Sequence, residues 1–247
     1  MTKPSDNYFV RASSIGALMT SGRGKNDLFG KTAFDTILSA ALLNKRGYQE
    51  EITGSPLEKG IYNEDEALDM LCENRGWEVP HREIRKERMY NEYITGEPDL
   101  CIKDLGILAD VKNSHTPKSF PWLVDTSDLK KHHKGYWWQL QAYMWLSGIN
   151  TSYLAYCLTD FPEHMISSKV QSELYRAYGK PEARTQDMSE IEDEVDSRIR
   201  KQMTFSQWET QEKIRVFKIE LDTEAIEELK TRIVEARKIY DTIYKSI

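Results

Sequence analysis

Apolar positions along this chain recur with two different periods, and the change of period separates helices from strands. From Thr32 to Asn44, the residues Ala33, Phe34, Ile37, Leu38, Ala41 and Leu42 fall at helical spacing and predict an amphipathic core helix. Ser55-Pro56-Leu57-Glu58 has the form of a capping box with proline at the first helical position, and Gly76 marks an exit. The helix between them carries a stripe of Leu57, Ile61, Leu68 and Leu71, and Glu64 falls on that stripe. A carboxylate on a core-facing stripe needs a partner or stays protonated. Either Glu64 has such a partner, or the stripe is rotated and Glu64 lines its edge. Gly60, one turn earlier, would let another backbone come close.

Shorter periods mark the strands. Trp77 to Tyr93 predicts a strand and its turn, with Arg82, Arg85, Lys86 and Arg88 clustered in it. Two apolar runs, Leu100 to Lys103 and Ile107 to Val111, flank Asp104-Leu105-Gly106 and predict an antiparallel hairpin. Its ends bring Asp99, Asp110 and Lys112 together, with Asp110 and Lys112 on one face and Val111 in the core. Gly135 to Ser147 predicts an apolar helix that aligns Gln139 and Tyr143 on one face, wrapped by Leu140, Met144 and tryptophans. Asn150 to Leu158 reads as a buried strand. Residues 162–187 are mixed and read as loop-rich. Ile191, Val195, Ile199 and Met203 then stripe an acidic helix, Lys213 to Leu221 reads as a strand, and Asp222 or Thr223 caps a final helix to Tyr244. Strand, helix, strand in this order implies an α/β (α+β) fold with a mixed central β-sheet flanked by helices. With no repeat and no low-complexity linker, residues 1–247 read as a single domain with a C-terminal strand-helix extension.

Composition narrows the class. Of 247 residues 30% are charged, and no apolar run reaches the roughly 20 residues of a membrane span. The first residues lack the apolar core of a signal peptide, so a cytoplasmic protein is expected. Cys72, Cys101 and Cys157 are far apart and unpaired by any metal-ligand spacing, which argues against disulfides, a zinc site or an iron–sulfur cluster. The net charge of −6 does not advertise nucleic-acid binding, although a basic groove can be local.

The hairpin ends are where chemistry concentrates. Two carboxylates beside apolar strands repel one another and lose water, which raises the pKa of one of them. Mg²⁺ removes the conflict, because it takes one or two carboxylates and fills its other positions with water and phosphate oxygens. A lysine alongside can orient or deprotonate a water and offset charge on a phosphate. The competing reading is a surface hairpin with charged ends. The polar exit loop from Asn113 to Pro117 follows directly and is placed to touch phosphate. Ser13 or Ser14 can cap a helix beginning near Ile15, a natural phosphate seat with Arg11 nearby. Adjacent His132 and His133, in the basic run Lys130 to Lys134, lack ligand spacing and read as surface residues.

Pro98-Asp99 followed by Asp110-Val111-Lys112 resembles the signature of the PD-(D/E)xK nuclease superfamily. Gly60 to Glu64 resembles the glycine-then-glutamate helix of its phage lambda exonuclease (YqaJ-like) branch. Gln139 and Tyr143 resemble the Gln-x-x-x-Tyr motif shared by RecB-type and lambda-type nucleases. The similarity runs from about residue 8 to 160, and more weakly at the C-terminal end. It implies a restriction-endonuclease-like core and a Mg²⁺-dependent enzyme, Mn²⁺ substituting, that degrades one strand of duplex DNA from 5′ to 3′. It implies metal binding by Asp99, Asp110, the Val111 carbonyl and Glu64, directly or through water. Lys112 would position or deprotonate the attacking water, with Gln139 and Ser114 orienting the phosphate and Tyr143 beside them. Arg11, Ser13 and Ser14 would contact DNA phosphate, although relatives carry the arginine several residues before the serine; Arg23 and Lys25 are alternatives. Double-stranded DNA ends, a single-strand annealing protein that takes the 3′ overhang, and a ring-shaped homotrimer are the implied partners. An endonuclease of the same superfamily and a non-catalytic DNA-binding or assembly protein are the rival expectations.

Overall fold

The computed structural model describes residues 8–24, 27–51, 53–78, 87–180 and 188–247. Among them the strands form two sheets. A small one joins β1 (Val10–Arg11), β2 (Met89–Tyr90) and β3 (Ile94–Gly96), with β3 in the middle. The larger one runs in chain order through β4 (Leu100–Ile102), β5 (Ile107–Asn113), β6 (Thr151–Cys157) and β7 (Ile214–Glu220). β4–β5 and β6–β7 are antiparallel and β5–β6 is parallel, so the sheet is mixed as expected.

Helices α1 (Ile15–Leu18), α2 (Lys31–Arg46), α3 (Ser55–Tyr62), α4 (Glu64–Arg75), α5 (Leu129–His132), α6 (Lys134–Ser147), α7 (Glu163–Tyr178), α8 (Ser189–Met203) and α9 (Thr223–Ser246) surround the sheets. Parallel strands need a crossover, and α6 supplies it between β5 and β6. Successive side chains of β5 go to opposite faces, and both faces are covered. Leu108 and Leu154 join a core with Leu140 and Met144 of α6, while Ala109, Val111 and Ala155 join one with Ala67, Leu68 and Leu71 of α4. This two-sided burial explains why β5 is an almost unbroken apolar run. Gly106, with φ +63°, takes the left-handed conformation that closes the β4–β5 hairpin. No helix among the described residues is long and apolar enough to cross a membrane.

Several expectations are corrected. Helix 55–76 is not continuous, because it breaks at Asn63. The Asn63 amide donates to Thr159 Oγ1 at 2.8 Å and to the Asp160 carbonyl at 2.5 Å, and its carbonyl accepts from Asn113 Nδ2 at 2.9 Å. Those tertiary bonds hold the chain at the break, leaving Leu57 and Ile61 exposed while Leu68 and Leu71 stay buried. Ser55 makes no cap, since Gly54 occupies that position, and a Cβ on Gly60 would meet nothing within 4 Å. Phe34 and Leu38 of α2 are exposed rather than core. Residues 163–178, expected as loop, are helical because Ile166, Val170 and Leu174 recur every four residues and pack toward α8. His133 is half-buried, with Nδ1 2.7 Å from the Tyr156 hydroxyl. Ser14 precedes α1 without a side-chain hydrogen bond. Asp222 does cap α9, accepting from the Ala225 N–H at 3.0 Å, and β7 is a full member of the main sheet. Arg82, Arg85, Lys86 and Lys25 lie outside the described residues.

One packing contact gives a sharp test. A Cβ on Gly16 of α1 would sit 2.5 Å from the Gly135 Cα of α6, a backbone atom that moves only with its helix. Gly16→Ala is expected to destabilise the fold by about 1–3 kcal/mol, the usual cost of overpacking. Urea unfolding would check it, and an unchanged midpoint would contradict this contact.

Candidate active site

Antiparallel pairing of Leu100 with Ala109 carries the register on to Asp99 opposite Asp110 and Pro98 opposite Val111. The ladder ends there for a chemical reason. Proline has no N–H to give, so the Val111 carbonyl has no strand donor opposite it on that side. The Val111 N–H donates to Asp99 Oδ2 at 2.8 Å. Because N–H and C=O of one strand residue face the same neighbour, the Val111 carbonyl is directed to the same edge as Asp99.

Asp110 is 1% exposed and forms a close ion pair with Lys112 through Oδ2. That oxygen is fully buried yet makes no directed hydrogen bond among the described residues. Burial and the neighbouring Asp110 carboxylate push Asp99 up to about 7, against the opposing pull of Lys112 and the Val111 N–H. For Lys112 burial favours the neutral amine, but Asp110 and Asp99 outweigh it and the net shift is upward. Its Nζ also lies 5.2 Å from the centroid of the Tyr136 ring.

Asp99, Val111, Lys112 and Ser114 line one cleft of about 720 Å³, whose far wall includes Leu57, Gly60, Ile61 and Glu64. The break at Asn63 sets Glu64 at the first turn of α4, where it lines the same cleft. Gln139 and Tyr143 sit behind the cleft. Both are buried, Gln139 Nε2 donates to the Tyr143 hydroxyl at 2.9 Å, and that hydroxyl donates to the Glu97 carbonyl at 3.1 Å. The pair therefore fixes the Glu97-Pro98-Asp99 approach to the site. Arg11 and Ser14 line a different cleft, of about 760 Å³, beside α2 and the small sheet. Arg11 and Ser13 are exposed, and Arg23 is also exposed in its loop.

The donor set suits a hard divalent cation. It offers two carboxylates and a directed backbone carbonyl, which suits Mg²⁺ when water completes its shell. Among the described residues no three acidic, histidine or cysteine side chains close into a ready ligand cluster. Glu64 thus shares the cleft with Asp99, while Asp110 lies buried behind it, and the three do not form one group.

Sequence reading missed Lys59, Asn63, Thr159, Tyr136 and Tyr156, which pack around these residues. Their signal is weak because each becomes distinctive only through a partner about 20 to 100 positions away, such as Asn63 with Thr159.

No family model and no curated protein matches the chain. Solved structures do. A phage-related exonuclease from Haemophilus somnus 129PT superposes with a TM-score of 0.75 at 24% identity, covering 97% of this chain and 96% of that one. An alkaline exonuclease from Laribacter hongkongensis gives a TM-score of 0.59 at 13% identity over 96% and 90% of the two chains. The same Laribacter enzyme in complex with dAMP gives 0.57. The fold is therefore the one used by phage-related and alkaline exonucleases, and it spans nearly the whole of each chain.

Proposed function

We propose that this protein is a divalent-metal-dependent deoxyribonuclease, an exonuclease that degrades one strand of duplex DNA from its 5′ end. The observation that carries the reading is the meeting of Asp99, Asp110 and Lys112 at one end of the β4–β5 hairpin, with the Asp99 carboxyl driven upward by burial and then by Asp110. A buried and a half-buried carboxylate in that relation are costly without a divalent cation, and the cleft beside them is open to a ligand.

Asp99, Asp110 and the Val111 carbonyl would hold Mg²⁺ or Mn²⁺, with Glu64 reaching it through water. When bound, the ion supplies Lewis-acid stabilisation of charge on the phosphate and lowers the pKa of water. Lys112 keeps its proton, which suits it to orient the attacking water and to donate to a phosphate oxygen. Ser114, on the loop that leaves β5, lines the same cleft and would contact that phosphate. Gln139 and Tyr143 act one step back, by holding the segment that carries Asp99. The Laribacter complex with dAMP supports a site that takes a DNA mononucleotide. Arg11, Ser13 and Ser14, beside the second cleft, are the proposed phosphate contacts for a strand running past the site. The product would be a 3′ overhang for an annealing protein, and a ring-shaped homo-oligomer would keep the enzyme on DNA.

The deciding experiment compares linear duplex with covalently closed circular DNA in Mg²⁺. Linear DNA should yield acid-soluble nucleotides and the closed circle none, because an exonuclease needs an end. Nicking or linearisation of the circle at a comparable rate would make the protein an endonuclease.

A further inference from the structure

Helix α3 carries a buried cation that the scheme above leaves unused. Lys59 is 0% exposed, a rare state for lysine. Its Nζ donates to the Ser114 carbonyl at 2.9 Å and the His115 carbonyl at 3.3 Å. It also lies 4.3 Å from the centroid of the Phe161 ring and 5.3 Å from that of Phe205. Burial lowers its pKa to about 8, with Asp160 and Glu66 pulling the other way. An unbranched apolar side chain would fill this space without the cost of desolvating a charge. What such a side chain lacks is the ability to grip two consecutive carbonyls.

That grip sets the peptide planes of the loop. In a trans peptide the N–H points opposite to the C=O. Turning the Ser114 and His115 carbonyls onto Lys59 therefore turns the His115 and Thr116 N–H groups away from it. The Thr116 N–H is then taken by Ser119 Oγ at 3.0 Å, and the Ser114 N–H by the Cys157 carbonyl at 2.7 Å. The Ser114 hydroxyl, 4% exposed as a residue, makes no hydrogen bond among the described residues, yet Ser114, His115, Thr116 and Ser119 all line the active cleft. We propose that Lys59 is a positioning residue, clamping the loop so that the Ser114 hydroxyl and the His115 N–H are presented to a phosphate oxygen of the bound strand. This rests on the nuclease reading for its kinetic consequence, but not for its structural one.

The test uses the full chain with Lys59→Met, Ser114→Ala and the double variant. Each single change should lower kcat by about 10- to 100-fold, toward the loss of one oxyanion donor, with KM moved by less than about threefold. The double variant should be no slower than the worse single one. Independent, multiplying losses in the double variant would overturn the proposal, as would a wild-type kcat in either single variant. Should Lys59→Met not fold, Ser114→Ala still decides, since it leaves the clamp intact and removes the group it positions. Hydrogen exchange gives a second readout that needs no activity. The Thr116 amide, held by Ser119 Oγ, should exchange at least about tenfold faster in Lys59→Met than in wild type, and equal rates would overturn the clamp. If the wild-type chain hydrolyses no DNA at all, the functional reading fails while the exchange result still judges Lys59.

Discussion

Asp110→Asn is expected to lower DNA hydrolysis by about three orders of magnitude or more, and Lys112→Ala by a similar factor. A thousandfold loss corresponds to about 4 kcal/mol of transition-state stabilisation. The two variants should arrive there by different routes. Asparagine at 110 keeps the shape of a fully buried side chain but removes the charge that, after burial itself, drives Asp99 upward. The Asp99 carboxyl should fall back toward the ordinary carboxylate range, and the fold should be retained because the repulsion lost offsets the attraction lost and Asp99 remains to face Lys112. Alanine at 112 does the reverse. It strips away the ammonium that offsets both carboxylates, so Asp99 should rise further and the metal-free protein should lose stability. Steady-state hydrolysis of linear duplex, paired with thermal unfolding in EDTA, separates the routes. Activity within tenfold of wild type in either folded variant would defeat the assignment of these residues.

Removing divalent metal with EDTA should abolish hydrolysis, Mg²⁺ or Mn²⁺ should restore it, and Ca²⁺ should not. The pH dependence of that rescue has a definite sign. Asp99 is raised to about 7 in the metal-free protein, so below pH 7 a cation must displace a proton to bind. The half-saturating Mg²⁺ concentration should therefore rise about tenfold per pH unit below 7 and level off above it. Titrating activity with Mg²⁺ at several pH values measures this directly. A flat response across the pH range that brackets this value would mean that Asp99 does not bind the ion.

The parts of this protein that the linear chain made legible are those whose signal is local. The β4–β5 hairpin could be read because a turn with Gly106 separates two apolar runs, and because pairing within a hairpin leaves no freedom about which residues meet. Asp99, Asp110 and Lys112 were brought together by that register alone. The α9 cap at Asp222 and the stripe of α8 are equally local. Helix α7 had the same kind of signal in Ile166, Val170 and Leu174, obscured by the polar residues between them.

Tertiary structure decided what depends on partners distant in sequence. Local capping and an unbroken hydrophobic stripe favour one helix from 55 to 76, yet Asn63 bonds to Thr159 and Asp160 and splits it. That split decides where Glu64 faces. The same holds for Arg11 and Ser14, which a helix N-terminus alone would make a phosphate seat but which the small sheet turns toward a second cleft. Lys59 is the extreme case. Lysine belongs at the surface unless carbonyls and aromatic rings from elsewhere in the fold enclose it, and here those groups lie at least 55 positions away. Sequence thus determined which side chains could do the chemistry, because strand pairing and helical period act over short spans. Only the folded chain determined what holds them, because buried polar groups take their hydrogen bonds from whatever the packing brings beside them.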